Sequence, residues 1–236
     1  MGRAFEYRRK SKEQRWDKMS KLFPKLGKSI TMAAREGGDD PETNSKLRLA
    51  IMNAKAENMP KDNIEAAIKR ASGKDGADIT EIGYEGKAPH GVMIFIEAAT
   101  DNTNRTVTNL RTYFNKAGGQ LLDSGSLQFM FGRKSVVEFP IADGTNMEEV
   151  ELTLMDFGLD ELEQNEGVAY AYGEVTEFGN LTKGVEDLGL EISKASLKRI
   201  PNSPIELSDD QMTEIEVLLD KIEDDEDVQA VFTNIA

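Results

Sequence analysis

The sequence has 236 residues, of which 39% are hydrophobic and 31% are charged, a composition typical of a well-solvated globular protein. It contains no cysteine, which excludes disulfides, thiolate metal sites and cysteine nucleophiles. Its longest apolar stretch, at residues 91–96, is too short to span a bilayer, and its first residues lack the apolar segment of a signal peptide. We therefore expect a cytoplasmic protein that does not bind membranes.

The net charge of −14 is divided unevenly along the chain. Residues 1–74 contain 18 lysines and arginines against 10 acidic residues, whereas residues 75–236 contain 11 against 33. Phosphate binding depends on the local field rather than on the total charge. The first third of the chain is therefore expected to approach a polyanion, while the acidic remainder limits indiscriminate binding.

Residues 1–78 show helical periodicity. On a helical wheel, the segment from Lys18 to Arg35 has an apolar face and a separate basic face, and Gly37 and Gly38 are expected to end this helix. The i, i+3, i+4, i+7 pattern recurs at residues 47–54 and again at residues 64–71. These patterns predict a small helical domain behind a basic arm.

From Ile79 onwards, predicted strands and helices alternate. Strands are predicted at residues 82–85, 92–98, 126–131, 135–140, 168–174, 194–200 and 228–234, and helices at residues 104–117, 147–163, 181–188 and 209–222. This order predicts an α+β fold in which each sheet carries helices on one face. The last helix and strand are expected to return to the first module. The predicted domains are residues 1–78, residues 79–134 together with 205–236, and an inserted acidic domain at residues 135–204.

Basic and aromatic side chains are interleaved at the N-terminus. Lysine and arginine neutralise phosphates, and aromatic rings stack on unpaired bases. The alternative is a solvated terminus whose aromatic residues fold onto the helical domain. Because a basic helix face follows, we predict that the arm and this face bind nucleic acid, and the pattern leaves DNA and RNA open. The predicted contacts are Arg3, Arg8, Arg9, Lys10, Lys12 and Arg15 in the arm, and Lys18, Lys21, Lys25, Lys28 and Arg35 on the helix.

A run of polar residues at positions 100–106 lies where a predicted strand leads into a predicted helix. Asp, Asn and Thr commonly cap helix N-termini and stabilise tight turns, so structural capping is the favoured interpretation. Loops at strand ends also present recognition groups. The candidates for a recognition loop are Asp101, Asn102, Asn104 and Arg105.

The sequence offers little that resembles a catalytic centre. His90 is the single histidine, and nothing near it resembles an activated nucleophile. The acidic clusters at residues 148–151, 160–166 and 223–227 lack the spacing of a calcium loop and are interpreted as solvated helix faces. The glycines match no phosphate-binding or dinucleotide motif. We therefore predict a non-enzymatic protein without a metal site or cofactor.

Several short motifs, taken together along the whole chain, resemble the YebC family. They are Ala33–Gly38, Asn58–Glu65, Tyr84–Gly86, Thr100–Asn102, Asn104–Thr106, Gly118–Gly119 and Asp227–Asn234. The resemblance implies a helical N-terminal domain followed by two α+β, ferredoxin-like domains, the last inserted into the middle one. Members are described as DNA-binding transcriptional regulators. Some, including a mitochondrial relative that activates cytochrome c oxidase synthesis, are also regarded as ribosome-associated translation factors that relieve stalling.

The leading hypothesis is a nucleic-acid-binding regulator of gene expression that acts as a monomer on DNA or on ribosomal or transfer RNA. The ribosome is a further expected partner. A chain at −14 meets long-range repulsion from bare duplex DNA, and the sequence shows no dimerisation coiled coil, which favours RNA. The family description favours DNA. The rival hypothesis is an acidic protein-interaction adaptor whose basic N-terminus docks onto its own acidic domains.

Overall fold

The computed structural model describes residues 15–72, 79–142 and 144–236, with side chains from residue 21 onwards. The helices are α1 Arg15–Gly37, α2 Ser45–Ala56, α3 Lys61–Ser72, α4 Thr103–Lys116, α5 Met147–Met155, α6 Phe178–Asp187 and α7 Asp209–Glu223. The strands are β1 Thr80–Lys87, β2 Met93–Thr100, β3 Gln120–Leu122, β4 Phe131–Pro140, β5 Leu159–Asn165, β6 Val168–Glu174, β7 Lys194–Pro201 and β8 Val228–Thr233. The predicted α+β class and the helical N-terminal region are confirmed.

The chain divides into two compact units. Among the described residues, the first unit contains residues 15–50, 59–72, 79–132 and 200–236, and the second contains residues 51–58, 133–142 and 144–199. No helix within the described ranges is both long and apolar enough to cross a membrane. The division into three domains made from the sequence remains a prediction.

Helix α1 packs against α3 through small and aliphatic residues. Ile30 and Ala34 of α1 and Ala67 of α3 are buried, as the apolar face of the helical wheel predicts. The hydroxyl oxygen of Thr31 lies 2.9 Å from the carbonyl of Gly27 one turn earlier and 2.8 Å from the carbonyl of Ala67 in α3, and the two carbonyls share its single proton. These contacts hold the two helix backbones close together.

The predicted stop of α1 at Gly37 and Gly38 is confirmed, and a buried asparagine explains it. Asn44 donates to the carbonyls of Ala33 (2.8 Å) and Gly38 (2.7 Å), and its amide oxygen accepts from the backbone N–H of Leu47 (3.1 Å). One side chain therefore satisfies carbonyls near the end of α1 and an N–H at the start of α2. Gly38 has a φ of +92°, the left-handed conformation that ends many helices.

The first sheet belongs to the first unit and has the antiparallel order β3-β1-β2-β8. Strand β8 comes from the end of the chain and pairs with β2, so the segment that forms the second unit's sheet is inserted between them, as predicted. Ile94 and Ile96 of β2 form one core with Leu110 of α4 and Leu219 of α7, which places both helices on the same face of the sheet.

The opposite face of the first sheet is covered by the chain between β3 and β4. Phe95 of β2 and Phe232 of β8 pack there against Leu127 and Phe131. The carboxylate of Glu85 in β1, which is buried, accepts hydrogen bonds from the backbone N–H groups of Gly125 (2.8 Å) and Leu127. The carboxylate of Glu85 thus fixes the loop between β3 and β4 over the sheet, because each of its two oxygens accepts from a backbone N–H of that loop.

The second sheet has the antiparallel order β5-β6-β4-β7. Its chain order β4-α5-β5-β6-α6-β7 is the β-α-β-β-α-β arrangement of ferredoxin-like domains. The end of α2 also belongs to this unit: the side chain of Asn53 donates to the carbonyl of Ala195 in β7 and accepts from its N–H.

Two predicted elements are wrong. The strand expected at residues 126–131 is a loop with a short 3₁₀ turn at Gln128–Met130, and the strand of this region is β3, three residues long. The helix expected at residues 147–163 ends at Met155, because Gly158 adopts a φ of +86° and β5 follows. Residues 159–165 are rich in Leu and Glu, which favour helix, but their pairing with β6 overrides that propensity.

Candidate nucleic-acid interface

The predicted basic face of α1 includes Lys21, Lys25 and Lys28, here called the lysine face. They lie on one side of the helix because they are spaced by four and three residues. The structure places all three against the end of α7 and the turn that leads from it into β8. Lys21 forms an ion pair with Asp224 (2.9 Å), and Lys25 Nζ donates to the backbone carbonyl of Glu223.

Lys28 is mostly buried, with a side chain that is 21% exposed. Its Nζ donates to the carbonyl of Ala99 (2.9 Å), the carbonyl of Glu226 (3.1 Å) and the carboxylate of Asp227 (3.3 Å). An ammonium group has three N–H donors, and here each has an acceptor. Lys28 therefore connects α1 to the first sheet, and in this conformation it has no donor left for phosphate.

Asp227 is the centre of the cluster. Its side chain is only 3% exposed, and the carboxylate accepts two hydrogen bonds from the guanidinium of Arg105, from Nη2 to one oxygen (2.8 Å) and from Nε to the other (3.1 Å). It also accepts from the hydroxyl of Thr106 (2.8 Å). Arg105 and Thr106 lie in the first turn of α4, so the buried carboxylate joins α4, β8 and the lysine face.

The protonation of this cluster follows from its contacts. Burial by itself raises the pKa of Asp227, but the hydrogen bonds from Arg105, Thr106 and Lys28 outweigh it, so the pKa lies below the usual 3.8. For Lys25, burial lowers the pKa, and the carboxylates of Glu223, Asp225 and Asp224 offset part of this effect. The carboxylate of Asp227 is thus held ionised, which suits a permanent ion pair.

The polar run at residues 100–106 is used for capping and pairing. The side chain of Asn102 is the N-cap of α4 and accepts from the backbone N–H of Arg105 (3.0 Å). Asp101 forms an ion pair with Arg105 (2.8 Å), and Asn104 is exposed in the first turn. The capping interpretation describes Asn102 well. A recognition role for Asp101, Asn102, Asn104 and Arg105 remains a prediction.

The other predicted contacts are distributed as follows. Arg35 is half-buried in the last turn of α1. The backbones of Arg15 and Lys18 belong to the first turns of α1, but their side chains lie outside the described part of the molecule. The arm residues Arg3, Arg8, Arg9, Lys10 and Lys12 lie outside the described residues. Their role in binding nucleic acid remains a prediction.

The acidic cluster at residues 223–227 was expected to be a solvated helix face, and for two of its members this is wrong. Asp225 and Asp227 are 7% and 2% exposed. Asp225 accepts from the phenol of Tyr113 (3.1 Å) and from Asn109 (3.0 Å). A run of acidic residues gives no local signal of burial. The informative feature is the complementary set of donors, which lies more than a hundred residues away in the sequence.

Two family models together match nearly the whole chain. The model for the TACO1/YebC protein N-terminal domain matches residues 3–74, and the model for the TACO1/YebC second and third domain matches residues 79–235. The chain belongs to the TACO1/YebC family. The resemblance inferred from the short motifs is therefore confirmed. Asp227 and Arg105 lie within the part matched to the second and third domains, and Lys28 lies within the part matched to the N-terminal domain.

Relatives in the family are similar to the chain along its full length. A probable transcriptional regulatory protein of Wolinella succinogenes is 64% identical over 237 residues, and those of Helicobacter hepaticus and Campylobacter jejuni are 62% and 60% identical, each with 100% of both chains covered. The fold is also similar to the crystal structure of a conserved hypothetical protein from Aquifex aeolicus. That comparison has a TM-score of 0.84 at 36% identity and covers 94% of this chain and 92% of the other.

Proposed function

We propose that this protein is a non-enzymatic regulator of gene expression that binds nucleic acid through its basic N-terminal region. The observation that carries the proposal is the charge division, in which residues 1–74 have an excess of eight cations and the remainder an excess of 22 acidic groups. A local excess of positive charge of this size attracts phosphates, while the acidic part of the chain repels them. Binding is therefore confined to the first third of the chain. The names of the relatives, probable transcriptional regulatory proteins, support a role in gene expression.

Structured RNA is the target we favour. A helix that reads DNA in the major groove presents an unobstructed face to the bases, whereas α1 has its lysine face against the end of α7 and the residue after it. An arm with interleaved arginine, lysine and aromatic side chains suits phosphate contacts and stacking on unpaired bases. The second candidate is DNA, which the names of the relatives favour.

The proposal is tested by ultraviolet crosslinking in cells, followed by sequencing of the attached RNA and DNA. The arm variant carries Arg8→Glu, Arg9→Glu and Lys10→Glu. The matched control reverses three exposed lysines of the acidic part: Lys87→Glu, Lys116→Glu and Lys183→Glu. Both variants change the net charge equally, so a difference between them reports on position rather than on total charge.

Ribosomal or transfer RNA that is recovered with the control but lost with the arm variant would support a translation factor. Discrete promoter fragments with the same dependence would support a transcriptional regulator. For the purified protein, the logarithm of the binding constant for an RNA stem-loop should fall linearly with the logarithm of the salt concentration. The expected slope is about −0.7 for each phosphate contacted on a single strand. Weak, non-saturable binding that the arm variant leaves unchanged would contradict the proposal and favour the acidic adaptor.

A further inference from the structure

The lysine face of α1 has an intramolecular occupant, the acidic turn, which we define as residues Glu223–Asp227. The turn offers Lys21 a carboxylate at Asp224 and offers Lys25 the backbone carbonyl of Glu223. Glu223 is the last residue of α7, where carbonyl groups have no partner within the helix and the helix dipole is negative. The turn therefore presents the lysines with negatively polarised oxygens, as a phosphate backbone does.

The two ends of this contact differ in how firmly they are held. The pair between Lys28 and Asp227 is enclosed, with side chains 21% and 3% exposed. The pair between Lys21 and Asp224 is open to solvent, with side chains 45% and 52% exposed. Exposed ion pairs contribute little to stability, whereas one that involves a buried carboxylate is costly to break. The outer end can therefore separate while the inner end keeps α1 attached to the first sheet.

We propose that the acidic turn is an intramolecular competitor for phosphate, so that nucleic acid engages the outer lysine face only by displacing Asp224 from Lys21. This inference rests on the proposed function, since it assigns a regulated part of the same binding region. The apparent affinity is then the intrinsic affinity multiplied by the fraction of molecules in which the outer pair is open. The competitor also favours ligands dense in phosphate, because a single weak anion does not outcompete a carboxylate held in place by the fold.

The first test follows the turn itself in the full-length wild-type chain. Carboxylates are labelled with a water-soluble carbodiimide and an amine, with and without a fluorescent RNA stem-loop, and the modified residues are quantified by mass spectrometry. We expect labelling of Asp224 to rise when RNA is bound. Asp210, an exposed carboxylate in the first turn of α7, is the internal control and should not change. If labelling of Asp224 stays constant or falls while RNA is bound, displacement does not occur and the inference is overturned.

The second test measures affinity and its salt dependence by fluorescence anisotropy with the same stem-loop. Asp224→Asn removes the competitor, and Asp210→Asn makes the same change of charge at the other end of α7. We expect Asp224→Asn to raise affinity by up to about fivefold, the most that an exposed pair contributes, and to keep the salt slope of wild type, because Lys21 contacts the same phosphate in both complexes. Equal effects of the two variants would mean that only total charge matters, which overturns the inference.

The two tests separate failure of the inference from failure of the proposed function. If wild type binds RNA through the arm but neither the labelling of Asp224 nor the affinity of Asp224→Asn changes, the inference fails and the proposed function stands. If wild type does not bind RNA or DNA at low salt, both fail together.

Discussion

Substitution of Asp227 by Asn is the sharpest test of the contact network. The change is nearly isosteric, but it removes the negative charge and turns an amide N–H₂ towards groups that are themselves donors. The carboxylate of Asp227 accepts from Arg105, Thr106 and Lys28, which come from two separate helices. Its loss should therefore weaken the attachment of both α1 and α4 to the strand β8.

The expected loss of stability depends on which acceptors remain for each donor after the substitution. Breaking a buried ion pair costs about 3 to 5 kcal/mol when the remaining charge is stranded. Here Arg105 is 47% exposed and regains water, Lys28 keeps two carbonyl acceptors, and Thr106 keeps the hydroxyl of Thr100 at 2.9 Å. We therefore expect the free energy of unfolding to fall by about 2 to 3 kcal/mol, at or below the lower end of this range.

The assay is urea denaturation combined with peptide-resolved hydrogen exchange. Peptides from residues 93–116 and 209–234 should lose protection in Asp227→Asn, whereas peptides from residues 144–190 should keep it. A double-mutant cycle with Arg105→Met should give a coupling energy of about 2 kcal/mol for Arg105 and Asp227. The exposed pair of Lys21 and Asp224 is the comparison, expected below about 1 kcal/mol. Equal coupling energies for the two pairs would refute the argument that burial of the carboxylate sets the strength.

The lowered pKa of Asp227 also predicts how the stability of the protein depends on pH. The pKa of Asp227 is lower in the folded chain than its usual value of 3.8. Between these two values the unfolded chain binds more protons, so the stabilisation is complete above about pH 4 and is lost as the pH falls through the folded-state value. Asp227→Asn should make the free energy of unfolding depend less on pH in this range. If the variant shows the same pH dependence as wild type, the effect does not come from Asp227.

Packing at Gly86 and titration of Tyr113 provide independent checks. Gly86→Ala places a Cβ 2.2 Å from the ring of Phe114, so the free energy of unfolding should fall by about 3 kcal/mol in urea denaturation, whereas Gly179→Ala meets nothing within 4 Å and should cost nothing. Burial and the nearby carboxylate of Asp225 raise the pKa of Tyr113 from 10.0 to about 12. Stability from this group is present below pH 10 and is lost as the pH rises towards 12. Asp225→Asn should lower the pKa of Tyr113 in a spectrophotometric titration, and no change would rule out the carboxylate as a cause.

Local patterns in the sequence determined much of the fold. The apolar positions of α1 recur at helical spacing, and Gly37 and Gly38 mark its end, so both its buried face and its stop were predictable. The return of the last strand to the first module followed from the order of elements. The motifs along the chain were sufficient to indicate the family. Each of these signals lies in neighbouring residues or in their order.

Pairing between distant segments was decided only by the tertiary structure. Strand β5 has the composition of a helix, and β6 holds it extended through ladder hydrogen bonds. The lysine face and the acidic turn each resemble a solvated charged surface, yet Lys28 and Asp227 meet across 199 positions of sequence. A charge pattern indicates what a residue can bind, but not which partner the fold brings within hydrogen-bonding distance. That selection depends on the geometry of the packed core, because burial of Asp227 is tolerated only where donors from α1 and α4 converge.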